Sequence, residues 1–135
     1  PTTPGLIDKL AYQLLRLVEQ KQIKRVFIDS LSGMGRVAAD KSRTPDLLAA
    51  LMAELRTRGV TVLTSWETQT LLGSEIDAPA PELSGIVDNL LLIRFVRKAS
   101  ELKRELSILK VRDSSYDPSL LEVVIGHSGI AMNKV

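Results

Sequence analysis

The 135-residue chain has no cysteine, which excludes disulfide scaffolds, thiol catalysis and zinc–thiolate sites. Its one histidine, His127, rules out a multi-histidine metal centre and makes Ser-His-Asp catalysis a poor fit. No apolar run approaches the ~20 residues that cross a bilayer, and the first residues do not read as a signal peptide, so no membrane partner is expected. Neither sign of charge dominates: 18 Lys and Arg stand against 16 Asp and Glu, and overall charge names no partner. What is present is an ordinary globular balance, 44% apolar and 25% charged. A chain this long can hide roughly two-thirds of its unfolded surface, enough for one core. The missing cysteines fit a reducing cytoplasm, the expected compartment.

Ile7, Leu10, Ala11, Leu14, Leu15 and Val18 recur at helical spacing, with Thr3 and Pro4 suited to N-cap and first helical position. Arg25 to Ser30 carries three consecutive apolar residues into a carboxylate, the pattern of a strand buried on both faces. The glycine-containing stretch 31–44 reads as loop with a short helix. A second helix is expected from Pro45-Asp46, with Leu47, Leu48, Leu51, Met52 and Leu55 on one face and Gly59 ending it. Val60 to Trp66 is β-branched and reads as a second strand, parallel to the first across the helical crossover. Residues 67–85 fit neither element, and a loop this long is usually functional or disordered. Ile86–Val96 and Leu102–Val111 read as antiparallel strands joined at 97–101, and Leu121–Ile125 pairs with Ile130–Val135 through the Gly126-His-Ser-Gly129 turn. The fold class is therefore α/β: a partly parallel sheet flanked by helices and closed by antiparallel C-terminal hairpins. There is no internal repeat and no low-complexity tract.

Two segments can carry chemistry. Asp29, after the apolar strand, stands where open parallel sheets bind ligands and could hold a hydrated Mg²⁺ beside nucleotide phosphates; it could equally cap the next loop. Lys110 and Arg112, two residues apart on a strand, share a face and could clamp phosphate oxygens, or protect a solvated edge strand.

The order of these segments resembles the KaiC branch of the RecA-like ATPases. The likeness runs through Val26-Phe-Ile-Asp29-Ser30, Val60-Thr-Val-Leu-Thr-Ser65, Leu83-Ser-Gly-Ile-Val-Asp-Asn-Leu-Leu-Leu-Ile93, Glu101-Leu-Lys-Arg-Glu-Leu-Ser-Ile-Leu-Lys-Val-Arg112 and Gly129-Ile130, nearly the whole chain from Leu6 onward. The resemblance implies a Walker B role for Asp29, orienting Mg²⁺ through water. It implies that Lys110 and Arg112 reach a neighbouring subunit's γ-phosphate as cationic fingers in trans, and that Ser30, Thr64, Ser65, Ser114 and Tyr116 lie around the nucleotide. ATP and Mg²⁺ are the implied cofactors, and a homo-oligomeric ring, hexameric in the intact protein, is the implied assembly, with signalling proteins as further partners. Ser84 matches one member of an autophosphorylated Ser-Thr pair in the clock proteins; Gly85 replaces the other. Tyr116 stands where histidine is common and Asp113 where glycine is common.

Gly-x-x-x-x-Gly-Lys-Ser/Thr is absent from the 135 residues, as is the stretch that bears the family's catalytic glutamates. Residues 1–135 thus correspond to the C-terminal portion of one RecA/KaiC-like domain with an incomplete core, from a longer protein or a degenerate stand-alone relative, and this portion alone is not expected to hydrolyse ATP. RecA and RadA recombinases grip DNA with the loop after the second strand. Here residues 67–85 hold four carboxylates and no Lys or Arg, which disfavours contact with a phosphate backbone and makes nucleic acid an unpromising partner. Residues 94–112, with seven cations against two carboxylates, read as the face toward an adjacent subunit. The alternatives are a non-enzymatic interaction domain and a DNA-binding recombinase, the latter disfavoured by the acidic loop.

Overall fold

In the computed structural model, which describes residues 5–36, 41–67 and 85–135, the opening apolar repeat becomes α1 (Leu6–Lys21). Its N-cap is Gly5 rather than Thr3. The Gly5 amide donates to Asp8 Oδ2 at 2.9 Å, so the helix starts later than the threonine–proline pair suggests. At the other end Gln22 turns left-handed (φ 52°) and its amide meets the Val18 and Glu19 carbonyls. The chain divides after Glu67 into two units, each described by itself.

In the first unit, β1 (Arg25–Ile28) pairs in parallel with β2 (Thr61–Thr64), in register from Arg25↔Thr61 to Ile28↔Thr64. The crossover holds α2 (Leu31–Arg36), a 3-10 turn at Lys41–Arg43 and α3 (Thr44–Thr57). Gly59 (φ 67°) ends α3: the Gly59 amide bonds the Arg56 carbonyl and the Val60 amide the Leu55 carbonyl. Built on Gly59, a Cβ would meet no atom within 4 Å, so backbone angle rather than space requires glycine here. The core unites Ala11 and Val18 of α1 with Leu51 and Leu55 of α3 and Val60 before β2. Leu55 is fully enclosed, which contributes about 2–3 kcal/mol.

Val26 and Val62 face this core, while Phe27 and Leu63 on the opposite face are 63% and 65% exposed. The expectation of a first strand covered on both faces is therefore corrected for this chain: an unbroken apolar triplet states that both faces avoid water, but among the described residues only the α1–α3 face has its cover. Trp66, just past β2, is 38% exposed.

The second unit is an antiparallel meander, in spatial order β3 (Asn89–Lys98), β4 (Glu101–Val111), β5 (Leu121–Gly126) and β6 (Gly129–Lys134). Ala99 and Ser100 form the first turn, with Ala99 at φ 53°, and His127 and Ser128 the last. Parallel front strands followed by antiparallel hairpins are thus present as expected, distributed over two sheets among the described residues. In β4 the register passes from Leu91↔Ile108 to Leu90↔Lys110, leaving Leu109 as the extra residue of a bulge. Among the described residues no helix is long and apolar enough to cross a membrane.

Candidate functional site

In the first unit the chemistry-bearing residues collect at the carboxyl ends of β1 and β2. The parallel ladder places these ends side by side: the Ser65 amide donates to the Ile28 carbonyl and the Leu31 amide to the Ser65 carbonyl, each at 3.1 Å. Asp29 is therefore delivered beside Ser65, whose hydroxyl donates to Asp29 Oδ1 at 2.5 Å. That short bond to an ionised acceptor fixes one carboxylate oxygen. The carboxylate remains exposed, and its second oxygen has no partner among the described residues. Here the Asp29–Ser30 peptide is cis.

The other expected residues at this end have structural tasks. Ser30 Oγ accepts the Gly33 amide (3.2 Å) and shares a proton with Ser32 Oγ (2.8 Å), capping α2. Thr64 Oγ1 donates to the Ile28 carbonyl at 3.0 Å and so ties β2 to β1. Of the four positions in this unit, Asp29 with Ser65 is the pair left facing solvent with a charged oxygen to offer. No group of three or more metal-ligating side chains occurs among the described residues, so any cation here would be held through few protein oxygens.

In the second unit Lys110 and Arg112 do share a face. Lys110 pairs with Leu90, and the Arg112 amide extends the ladder by bonding the Asp88 carbonyl at 3.0 Å. The Leu109 bulge reverses the parity of β4. It turns Lys110 and Arg112 to the face of Arg94 and Glu105, away from that of Arg104 and Leu106. Lys110 Nζ donates to the Val87 carbonyl at 2.8 Å, and Arg112 Nη1 pairs with Asp88 Oδ1 at 3.1 Å in a half-exposed ion pair. Asp88 is thus a site residue that charge and spacing alone passed over; its one signal was its place in the Val-Asp-Asn run. After Arg112 the chain turns left-handed at Asp113 (φ 59°), a conformation that glycine adopts without steric cost. Tyr116 is folded back, its hydroxyl 3.5 Å from the carbonyl of the bulge residue Leu109, and Ser114 bonds locally to the Ser115 carbonyl. Ser84 lies outside the described residues.

Farther along the same face Glu105, only 4% exposed, meets Arg94 at 3.5 Å and Lys98 at 3.0 Å. Lys103 bonds Glu122 at 3.0 Å, which holds the lysine above its ordinary value, Glu122 being the main cause.

Residues 3–134 match the family described as ATPase: KaiC. The chain belongs to the KaiC ATPase family. It is 30% identical over 134 residues to the circadian clock protein KaiC3 of Synechocystis sp., covering 99% of the chain and 26% of that protein. To the circadian clock oscillator protein KaiC of Thermostichus vulcanus it is 26% identical over 129 residues, covering 96% of the chain and 24% of the relative. The crystal structure of a KaiC-like protein from the hyperthermophilic archaeon Pyrococcus horikoshii has the same fold, with a TM-score of 0.76 at 23% identity, over 95% of this chain and 54% of that one. The chain therefore spans about a quarter of the clock relatives and about half of the solved KaiC-like chain.

Proposed function

We propose that residues 1–135 form the C-terminal portion of a KaiC-like ATPase domain, and that in the intact protein this portion supplies the Walker B carboxylate in cis and a cationic finger in trans. The observation that carries the reading is Asp29: exposed, at the carboxyl end of β1, with one oxygen fixed by Ser65. Mg²⁺ keeps several waters and takes one or two carboxylates beside phosphates, so a single oriented carboxylate fits a water-mediated role. Magnesium bound with ATP would neutralise charge on the phosphates. Thr64 and Ser30 maintain the strand ends that position Asp29, and Ser114 and Tyr116 border the hairpin end that carries the cations.

Lys110 and Arg112 of one protomer would serve the neighbour's γ-phosphate in a ring, hexameric in this proposal. Both are engaged within their own chain, which does not oppose the role. The half-exposed Arg112–Asp88 pair is worth about 0–1 kcal/mol, whereas a charge-assisted bond to phosphate contributes about 1.5–3 kcal/mol. Phosphate would win the guanidinium. Autophosphorylation at Ser84 and signalling partners belong to the same proposal. A recombinase reading is disfavoured by the acidic, lysine-free segment 67–85.

The test uses the intact protein that contains this segment. Arg112→Ala is expected to lower ATP turnover by about 10³-fold or more with nucleotide binding nearly unchanged, and Asp29→Asn to abolish the magnesium dependence of nucleotide affinity. Equal losses of binding and turnover in Arg112→Ala would refute the role in trans. Unaltered turnover in both variants would refute the roles of Asp29 and Arg112, and absence of turnover in the intact parent protein would leave a non-enzymatic interaction domain as the correct reading.

A further inference from the structure

Both cations at the end of β4 are tied to the two residues that lead into β3. The Lys110 ammonium donates to the Val87 carbonyl at 2.8 Å. Arg112 meets Asp88 twice: its amide donates to the Asp88 carbonyl at 3.0 Å, and its Nη1 lies 3.1 Å from Asp88 Oδ1. The amide bond is the next rung beyond the Asn89↔Val111 pair, so it sets Asp88 directly opposite Arg112. Side chains directly opposite each other on an antiparallel ladder project from one face. The carboxylate is therefore delivered to the guanidinium by strand pairing itself. These bonds join paired strand ends and require no open sheet face. The charges that a finger in trans needs are thus occupied on their own protomer.

We infer that Asp88 is a counter-ion latch on this finger: it neutralises Arg112 within its own protomer and gives way when the neighbour's phosphate takes the guanidinium. The inference rests on the trans role proposed above and adds the residue that restrains it. Charge decides between a latch and a support. A carboxylate kept beside a guanidinium that is receiving a phosphate sets two anions against each other, and like charges at such distances repel. A phosphate offers the planar fork two parallel acceptors and more charge than a carboxylate. It displaces Asp88, and the broken ion pair subtracts from what the phosphate contact contributes. Because the finger stabilises charge on the transferring phosphoryl, the subtraction falls on the chemical step. Asp88 thus sets how much of the Arg112 charge reaches the transition state.

The experiment measures single-turnover ATP hydrolysis, together with ATP affinity, in the intact protein that contains this segment. Asp88→Asn keeps the size of the side chain and the backbone rung to Arg112 and removes the charge. An ion pair of this kind is worth up to about fivefold in an equilibrium or a rate. Asp88→Asn is therefore expected to hydrolyse ATP about twofold to fivefold faster than the parent, with ATP affinity nearly unchanged because the latch opposes the transition state and not binding. Asp88→Ser, a second neutral replacement, should show the same gain, and Asp88→Glu, which restores the competing charge, should return toward the parent. In an Arg112→Ala background Asp88→Asn should change nothing, since no guanidinium is left to hold. A purely structural Asp88 would not yield a faster enzyme whose gain vanishes with Arg112. Neutral variants at or below the parent rate would overturn the inference, a fall making Asp88 a support for the guanidinium. A gain that persists without Arg112 would overturn it as well. Failure of the trans reading looks different: Arg112→Ala alone would then leave the rate unaltered, whereas failure of the latch keeps the Arg112→Ala loss and removes the Asp88→Asn gain.

Discussion

Glu105 offers a test of how the second unit holds together, because exposure makes the effects of its removal and of its partners' removal unequal. The carboxylate side chain is 5% exposed, while Arg94 and Lys98 retain 24% and 37%. Glu105→Leu leaves two cations that can still reach water, so the change should cost less than about 1 kcal/mol or stabilise. Arg94→Leu together with Lys98→Met strands a buried carboxylate, for which about 3–5 kcal/mol is the ordinary cost. One term offsets it: Arg94 Nε is buried with no partner among the described residues, and removing that orphan donor regains about 1 kcal/mol. The double variant should therefore lose about 2–4 kcal/mol, and adding Glu105→Leu to it should restore most of the loss. Hydrogen exchange at the Leu106 and Ser107 amides, read against urea, reports this unit. A double variant that loses under about 1 kcal/mol, or a Glu105→Leu variant that loses more than the double, would refute the reasoning.

Asp117 accepts bonds from Lys134 Nζ at 2.7 Å and the Ser119 amide at 2.9 Å, and these, Lys134 first, hold its carboxyl well below the usual carboxylate range. A carboxyl depressed in the folded state contributes stability that is complete above its ordinary value of 3.8 and is lost as the pH falls below it. Asp117→Asn should thus separate from the parent at neutral pH and converge with it in acid; a constant gap in pH-dependent melting would contradict this. Ala99 holds φ 53° in a two-residue turn, so Ala99→Gly relieves about 1–2 kcal/mol of left-handed strain against about 0.5–1 kcal/mol of added chain entropy. A small gain in melting temperature is expected, and a loss would show that the turn is not strained. Leu55→Ala, at the fully enclosed centre of the α1–α3 core, should cost about 3–5 kcal/mol in urea unfolding followed by Trp66 fluorescence; a cost below 1 kcal/mol would mean that this core does not hold the strand ends.

Much of this molecule was legible because it rests on local rules. Helical spacing located α1 and α3, Gly59 marked the end of α3, and alternating or continuous apolar runs located the six described strands in order. The family was legible too, since the Val-Asp-Asn strand and the Leu-Lys-Val-Arg hairpin keep their order along the chain. Asp29 could be suspected at a strand end, but not its hydrogen bond to Ser65, 36 residues away, which exists only because β1 and β2 lie parallel. Periodicity did not reveal that Phe27 faces solvent, because an apolar run has the same appearance whether one face is covered or two.

The hairpin shows the division most plainly. Sequence by itself fixed that Lys110 and Arg112 would share a face, since two residues are one strand period. It could not say which face. A single extra residue at Leu109 reversed the parity of β4 and carried both cations to the side of Glu105, Arg94 and Asp88, leaving Arg104 among exposed apolar side chains. Bulges leave no mark in periodicity because they belong to the pairing of two strands, and pairing is a property of the folded chain alone.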